Sequence, residues 1–409
     1  MDRMVFFWCT DNSPGGQHQR EGVMKSVFLS PHFPPSFANF AGRLKEQGVA
    51  VLGLADQPYD DLSPELKRSL TEYYRVSDMH NYEELVRAMG YFTHRYGKID
   101  HIDSHNEYWL ETEARLRTDF NIAGIKCGQI ENIKCKSKMK EVFRNAGLSP
   151  ARGRICRSDE ELRSFIKEVG LPVVAKPDNG VGAAATFKIE GEADIQRFWT
   201  EKAYCDYIVE EFISGDIVTF DGLVDQRGEL VFSTSLRYCR GIMEIVNEDS
   251  DVYYWTVRSI EPDLEQVGLS TLKAFDVKAR FFHLEFFRTG DGKLMPLEVN
   301  MRPPGGLTLD MINYVFDFDC YRAWAEMLVH GHNPRVKERP YFVIYVGRKD
   351  WIPYVLHHDQ VLHQFAPLLK QEERMAGVFA RAIGNHGYIL RHEELEPLLA
   401  AAASILQRA

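Results

Sequence analysis

Residues 281–306 read FFHLEFFRTGDGKLMPLEVNMRPPGG, two apolar runs of strand character joined by a glycine-rich turn. Side chains two apart along a strand share a face, so His283 and Glu285 point together on the first run, and Glu298, Asn300 and Arg302 on the second. Asp291-Gly292 is a favoured pair for a two-residue type I′ hairpin, which sets Gly290 opposite Lys293. Counting outward, Glu285 falls opposite Glu298 and His283 opposite Asn300. Two carboxylates facing each other on paired strands repel unless something positive sits between them. Carboxylate and amide oxygens suit Mg2+, which completes its octahedron with water and nucleotide phosphates. Arg302, one step along the same face, can hold an anion bound to that ion. A hairpin with one face in water shows the same alternation, so other segments have to decide.

The 409 residues suffice for two or three domains with a sizeable core. A formal net charge of −10 excludes a nucleic-acid surface as the main business while leaving room for a local basic pocket. The seven cysteines are odd in number and widely spread with no CxxC pair, so they read as reduced thiols of a cytoplasmic protein rather than a disulfide or zinc framework. No run approaches the ~18 apolar residues of a membrane helix. Residues 1–24 lack a signal-peptide pattern and are expected to be a poorly structured extension, with Met24 standing just before the first strand.

From Lys25 the pattern alternates: strands at 26–30, 49–55 and 99–105, helices at 36–48, 81–96 and 107–120. That alternation predicts a doubly wound parallel sheet over residues 25–126, with a ligand cleft beyond the carboxyl ends of its strands, near 30–36 and 104–107. A basic amphipathic helix follows over 131–147, then a helix over 159–169 with Ser158 and Glu161 at capping-box spacing. Residues 127–333 mix helices with hairpins turned by QRG and GDG, an α+β pattern. Residues 334–409 form a small C-terminal α+β subdomain ending in an alanine-rich helix.

Two further segments suit a nucleotide. In VVAKPDNGVGAAATFKI a strand delivers Lys176 to a loop where Gly180, Gly182 and Ala183 let backbone amides approach phosphate oxygens, without the order of a Walker loop. In YIVEEFISGD an apolar strand leads through Glu210, Glu211, Phe212 and Ile213 to Asp216, supplying an acceptor, a backbone donor and apolar walls for a purine, with an acid for a ribose hydroxyl.

Taken in this order, the segments resemble the ATP-grasp superfamily from about Lys25 onward, most specifically in HLEFF…LEVNMRPPGG, which is similar to that family's E…ExNxR ending. The resemblance implies an N-terminal domain like that of biotin carboxylase followed by an ATP-grasp fold. It implies that Lys136 and Lys176 reach the ATP phosphates, that residues 180–185 form a phosphate lid, and that Glu210, Glu211 and Ile213 line the adenine, with Asp216 at the ribose. Glu285, Glu298 and Asn300 would be the ligands of Mg2+, or Mn2+ in its place, and Arg302 would steady the transferred phosphoryl group. The run after Arg302, Pro303-Pro304-Gly305-Gly306, is similar to amino-acid ligases and lacks the continuation of biotin carboxylases.

The implied activity is ADP-forming ligation: a carboxylate attacks the γ-phosphorus of ATP, and an amine displaces phosphate from the acyl-phosphate, with Arg302, Lys176 and Asn300 as the catalytic groups. No protein nucleophile is required. The implied partners are small carboxylic acids and amines, with no nucleic acid or membrane, in a homodimer if the commonest symmetry applies. Arg240, Arg258, Gly305 and Gly306 are candidate contacts to a substrate carboxylate. His283 either touches a phosphate or is a satisfied strand histidine. Activation of a one-carbon acid and non-catalytic binding of Mg-ATP are the rival readings. A nicotinamide oxidoreductase lacks support because no GxGxxG follows the first strand.

Overall fold

The computed structural model describes residues 22–180, 185–239, 249–333 and 335–409. Strands β1 (Lys25–Leu29), β2 (Ala50–Ala55), β3 (Glu72–Arg75) and β4 (His101–Asp103) form a parallel sheet in the order β3-β2-β1-β4. Val27, Leu29, Leu52 and Leu54 are fully enclosed, as expected of strands covered on both faces. The strand order reverses between β1 and β4, and the crevice beyond their carboxyl ends is where such sheets take ligands. Most of the expected extension lies outside the described residues, but Met24 already belongs to the fold, its carbonyl accepting from the Ala50 amide at 2.8 Å.

Strands β5 (Gly153–Ile155), β6 (Val173–Pro177), β7 (Phe187–Ile189) and β8 (Tyr207–Glu211) make an antiparallel sheet in the order β5-β8-β6-β7. Helices Asp159–Val169 and Glu192–Glu201 cover it, packing Leu162, Phe165, Ile195 and Phe198 against Val173, Ala175 and Tyr207. Ser158 caps the first of these, accepting from the Glu161 amide at 3.2 Å, but the Glu161 carboxylate takes the Arg157 amide instead of completing the box.

Among the described residues the largest sheet has nine strands. Its path runs from β14 (Leu294–Asn300) through β13 (Arg280–Thr289), β9 (Gly215–Val224), β11 (Leu236–Tyr238) and β12 (Val252–Thr256). It continues through β15 (Phe342–Arg348) and β17 (His386–His392) to β16 (Leu369–Arg374), while β10 (Leu230–Thr234) pairs with β9. The C-terminal strands therefore extend the same sheet through the β12–β15 pair.

The β13–β14 hairpin departs from the expected turn. Thr289 pairs with Lys293 around a three-residue loop closed by the Gly292 amide on the Thr289 carbonyl, with Gly292 at φ +84°, a type I turn with a glycine bulge. That turn offsets the register by one residue. A second bulge restores it, because Phe286 pairs with Pro296 while Glu285 pairs with Glu298, leaving Leu297 as the extra residue. Pro296 has no N–H to give to a regular ladder, a reason for the irregularity to fall there.

The expected single helix over 131–147 is two helices, Cys127–Lys134 and Lys136–Asn145, broken at Cys135. Cys135 has extended backbone, and the Lys136 amide donates to the Asp178 carbonyl at 2.9 Å, so the break is fastened to the loop after β6. It places Lys136 on the first turn of the second helix.

Asp310, half-buried on helix Thr308–Phe316, accepts from the Tyr321 hydroxyl at 3.1 Å. Burial pushes its carboxyl up to about 6, against hydrogen bonds from Tyr321 and Gln371 that pull it down. A carboxyl raised above its unfolded value favours the fold at low pH, and that contribution is lost as pH rises through about 6. Asp310→Asn should therefore stabilise the protein by about 1–2 kcal/mol at pH 8, a figure discounted for partial exposure, with little gain at pH 4. Thermal unfolding of both proteins at the two pH values checks this; an equal shift at both would contradict it.

Candidate functional site

On β13 and β14, Glu285 and Glu298 are cross-strand partners and Asn300 faces His283. The two glutamate side chains keep 17% and 21% of their exposure, so their oxygens open onto a cleft rather than the core. On the other side of β13, β9 sets Asp221 opposite His283. Nδ1 of His283 is bonded to the Asp221 carboxylate, and Nε2 lies 3.6 Å from Glu285 Oε1. Burial works to strip the proton from this imidazole, but Asp221 and Glu285 together override it and lift the group to about 9. His283 is thus a positive neighbour of Glu285. Asp221 was not among the candidates, since only the β9–β13 register brings it there.

Three lysines approach from the opposite wall. Lys136 and Lys140 lie one turn apart on helix Lys136–Asn145 and share a face. Lys136 Nζ is 3.4 Å from Glu298 Oε1 and donates to the Gly180 carbonyl at 3.2 Å. Lys140 and Lys176 each lie 2.7 Å from one oxygen of Glu210, the Lys140 contact being an ion pair without hydrogen-bond alignment. Lys140 also donates to the Ala151 carbonyl at 2.9 Å. Burial opposes ionisation of Glu210, yet the two ammonium groups hold its carboxyl at about 2. Lys176 is likewise pulled down by burial but raised overall by Glu210, Glu298 and Glu285. Glu210 therefore serves as the anchor of two lysines. Lys140 was also missed, although its spacing from Lys136 was visible.

Arg302 closes the third side. Its guanidinium grips Glu107 at 2.8 and 3.1 Å, and Lys134 reaches the same carboxylate at 3.4 Å. Burial opposes the charge on Arg302, but Glu107, Glu285 and Glu298 keep it firmly protonated. Glu107 ends the 104–107 segment expected to line the cleft beyond β4, so the N-terminal sheet contributes directly to this wall. Beneath it, Arg280 donates to the Met301 carbonyl at 2.5 Å and bonds Asp103 and Glu113 at 3.2 and 3.1 Å, fastening the end of β14 to the end of β4.

Gly180 borders the Lys136 ammonium, whereas Gly182, Ala183 and Arg240 lie outside the described residues. The Glu211 carboxylate is taken by Arg152, at 2.7 Å from its amide and 2.8 Å from Nε. The Phe212 amide donates to the Pro172 carbonyl at 3.3 Å, and the Lys188 ammonium sits 4.9 Å from its ring centroid. Ile213 is half-buried and Asp216 exposed, in the connection from β8 to β9 and at the start of β9. Gly305 and Gly306 follow Arg302, with Gly306 at φ +64° and bordering a small cavity shared with Pro34, Pro35 and Ser36. Arg258 is spent on the Arg339 and Glu393 carbonyls, both at 3.0 Å, and no member of the acidic pair is among its described partners.

Hard oxygen donors paired across a hairpin, with cations converging from two other elements, suit a divalent ion carrying phosphate groups. Residues 169–310 match the family model of the ATP-grasp domain. The chain carries an ATP-grasp domain. The L-arginine-specific L-amino acid ligase of Bacillus subtilis is 25% identical over 60% of this chain and 61% of that protein. A D-alanine–D-alanine ligase of Clostridium botulinum is 28% identical over 43% of this chain and 61% of its own length. The matched region thus spans about three-fifths of either relative. In fold, the L-amino acid ligase from Bacillus licheniformis superposes with a TM-score of 0.71 at 13% identity, covering 93% of this chain and 96% of that one. The N5-carboxyaminoimidazole synthetase from Staphylococcus aureus complexed with ADP gives 0.69 at 12%, over 93% and 97%. The expected ATP-grasp fold behind a parallel N-terminal sheet is the one observed. Among the described residues no helix is long and apolar enough to cross a membrane.

Lys140→Met leaves a buried Glu210 facing a single ammonium. Removing one partner of such a pair costs about 3 kcal/mol. Denaturant unfolding should show a loss of that order, and isothermal titration should show nucleotide affinity reduced at least about tenfold as Lys176 loses its fixed position. Unchanged stability and affinity would contradict the anchoring role of Glu210.

Proposed function

We propose that the protein is an ATP-dependent carboxylate–amine ligase that activates a substrate carboxylate as an acyl-phosphate, joins it to an amine, and releases ADP and phosphate. The observation that carries this is the facing pair Glu285 and Glu298, with Asn300 beside them, flanked by Lys136 at 3.4 Å and by Arg302 at the end of the same strand. The ligase names of the relatives, among them an L-amino acid ligase, a D-alanine–D-alanine ligase and an alanine–anticapsin ligase, support amino acids as the substrate class.

The barrier to this reaction is that one anion has to attack another, so neutralising charge where it develops is the main task. Glu285, Glu298 and Asn300 would hold Mg2+, which supplies a counter-charge to the phosphates and screens the two carboxylates from each other. Lys136 and Lys176 stand on the triphosphate side. Lys176 keeps its proton because Glu210, Glu298 and Glu285 outweigh its burial. Arg302, oriented by Glu107 and by the Pro303 carbonyl, would hold the transferred phosphoryl group. A planar fork held at one edge by a carboxylate presents its remaining N–H groups in a fixed direction, which favours the transition state over a loosely bound ground state. His283, charged between Asp221 and Glu285, orients Glu285 rather than acting as a base, since a group titrating at about 9 is already protonated at neutral pH.

An ADP-release screen across paired amino acids and small acids tests the proposal. Release is expected only when acid and amine are both present, and Glu298→Ala should lower it at least about a hundredfold. AMP and pyrophosphate as products, turnover with bicarbonate alone, or Mg-ATP binding without turnover for any pair would each defeat it.

A further inference from the structure

The ligase reading leaves one group of metal-binding side chains without a role. Among the described residues, His358, Glu372 and His386 bring their donor atoms within 4.8 Å of one another. We propose that they form a second cation site, independent of the first, for a borderline divalent transition metal such as Zn2+ rather than Mg2+.

The sheet register builds the cluster. On the β16–β17 pair, Arg374 lies opposite His386 and Glu372 opposite Tyr388. Glu372 and His386 are therefore diagonal neighbours on one face, within reach of long side chains, and they are in contact here. His386 and Tyr388 share that face of β17, their rings stacked with centroids 5.0 Å apart. His358, at the start of helix His358–Gln364, lays its ring 4.3 Å from that of His386. Three elements thus each deliver one donor to a single point.

The donors fix the class of ion. Two imidazoles and a carboxylate match the three-ligand sets that hold Zn2+ and leave a fourth position for water or an outside ligand, whereas Mg2+ prefers an all-oxygen shell. With bonds of about 2.1 Å, tetrahedral ligands stand roughly 3.4 Å apart, so closing from the observed spacing takes only rotamer-scale movement. The setting also supplies outer support. His358 Nδ1 lies 2.9 Å from the Tyr388 hydroxyl. When Nδ1–H donates to that oxygen, Nε2 carries the lone pair a metal takes, the arrangement that orients metal-bound histidines. Tyr388 is itself 1% exposed, while Glu372 is exposed and gives the ion a route in. Of the nearby cations, Arg348 is engaged by the Leu356 carbonyl, the Tyr354 ring and Tyr388, and Arg374, opposite His386, by the Asp350 carboxylate. A bound ion would tie helix His358–Gln364 to the outer edge of the nine-stranded sheet.

The test uses the full chain, stripped with EDTA and kept in excess Mg2+ so that the oxygen-donor site is filled. It is titrated with Co2+, read by its visible d–d absorption, and with Zn2+, read by competition with a chromophoric chelator and by the unfolding temperature. The expected result is one equivalent bound, displacement of Co2+ by Zn2+, a rise in unfolding temperature, and affinity lowered at least about tenfold in each of His358→Asn, Glu372→Gln and His386→Asn. Glu372 is exposed, so Glu372→Gln remains informative even if a histidine variant misfolds. ADP release, where present, should be unchanged in Glu372→Gln, which separates this site from the ligase reading. Failure of the parent protein to bind either ion in excess Mg2+, or equal affinity in Glu372→Gln, would overturn the proposal.

Discussion

Two carboxylates placed opposite each other across a hairpin repel, and the rest of the cleft is organised around that repulsion. Burial alone would push a proton onto Glu285, yet His283, Arg302 and Lys176 keep it ionised. The compensation comes from four separate elements: the imidazolium on the same strand, the guanidinium just beyond β14, and the ammonium groups on helix Lys136–Asn145 and on β6. None of these cations is placed by local sequence alone. Each needs its own anchor, Asp221 for His283, Glu107 for Arg302 and Glu210 for Lys176. The result is an alternating lattice of charge, which on the proposed function a divalent ion and an anionic ligand would complete.

The same logic explains why the N-terminal sheet belongs to the site. Glu107 follows β4 by a short turn, and Arg280 bonds Asp103 and Glu113 while donating to the Met301 carbonyl. These buried charges are costly unless fully paired, and breaking one partner would leave others stranded. His101 and His105, packed beside Asp103, are pushed down to about 3 and about 4 by desolvation despite that carboxylate, so these two imidazoles stay neutral near neutral pH. The parallel sheet and the end of β14 are thereby fastened to each other through Arg280.

Much of this was legible in the sequence because strand periodicity reports faces directly. His283, Glu285, Glu298 and Asn300 fell on the faces and opposite the partners that alternation predicted. The agreement at Glu285 and Glu298 came from two irregularities that cancel, the three-residue turn and the bulge at Leu297, which alternation by itself does not reveal. What escaped was of one kind. Asp221, Lys140 and the pairing of Glu107 with Arg302, though not the place of Glu107 at the cleft, depend on contacts across 62, 70 and 195 residues of chain, where no local pattern carries the information. The break at Cys135 escaped for a related reason: its cause is a hydrogen bond to Asp178, on a loop that the helix sequence does not encode.

On the proposed function, the acidic pair exists to hold a cation that carries a triphosphate. Calorimetric titration of ATP into the protein, with and without Mg2+, tests it most directly, alongside the same titrations of a Glu285→Gln, Glu298→Gln double variant. Mg2+ should tighten ATP binding to the parent protein by at least about tenfold, and that dependence should vanish in the variant while weak, metal-free binding through the lysines persists. An equal gain from Mg2+ in both proteins would contradict it, because the cation would then be held by some other set of oxygens.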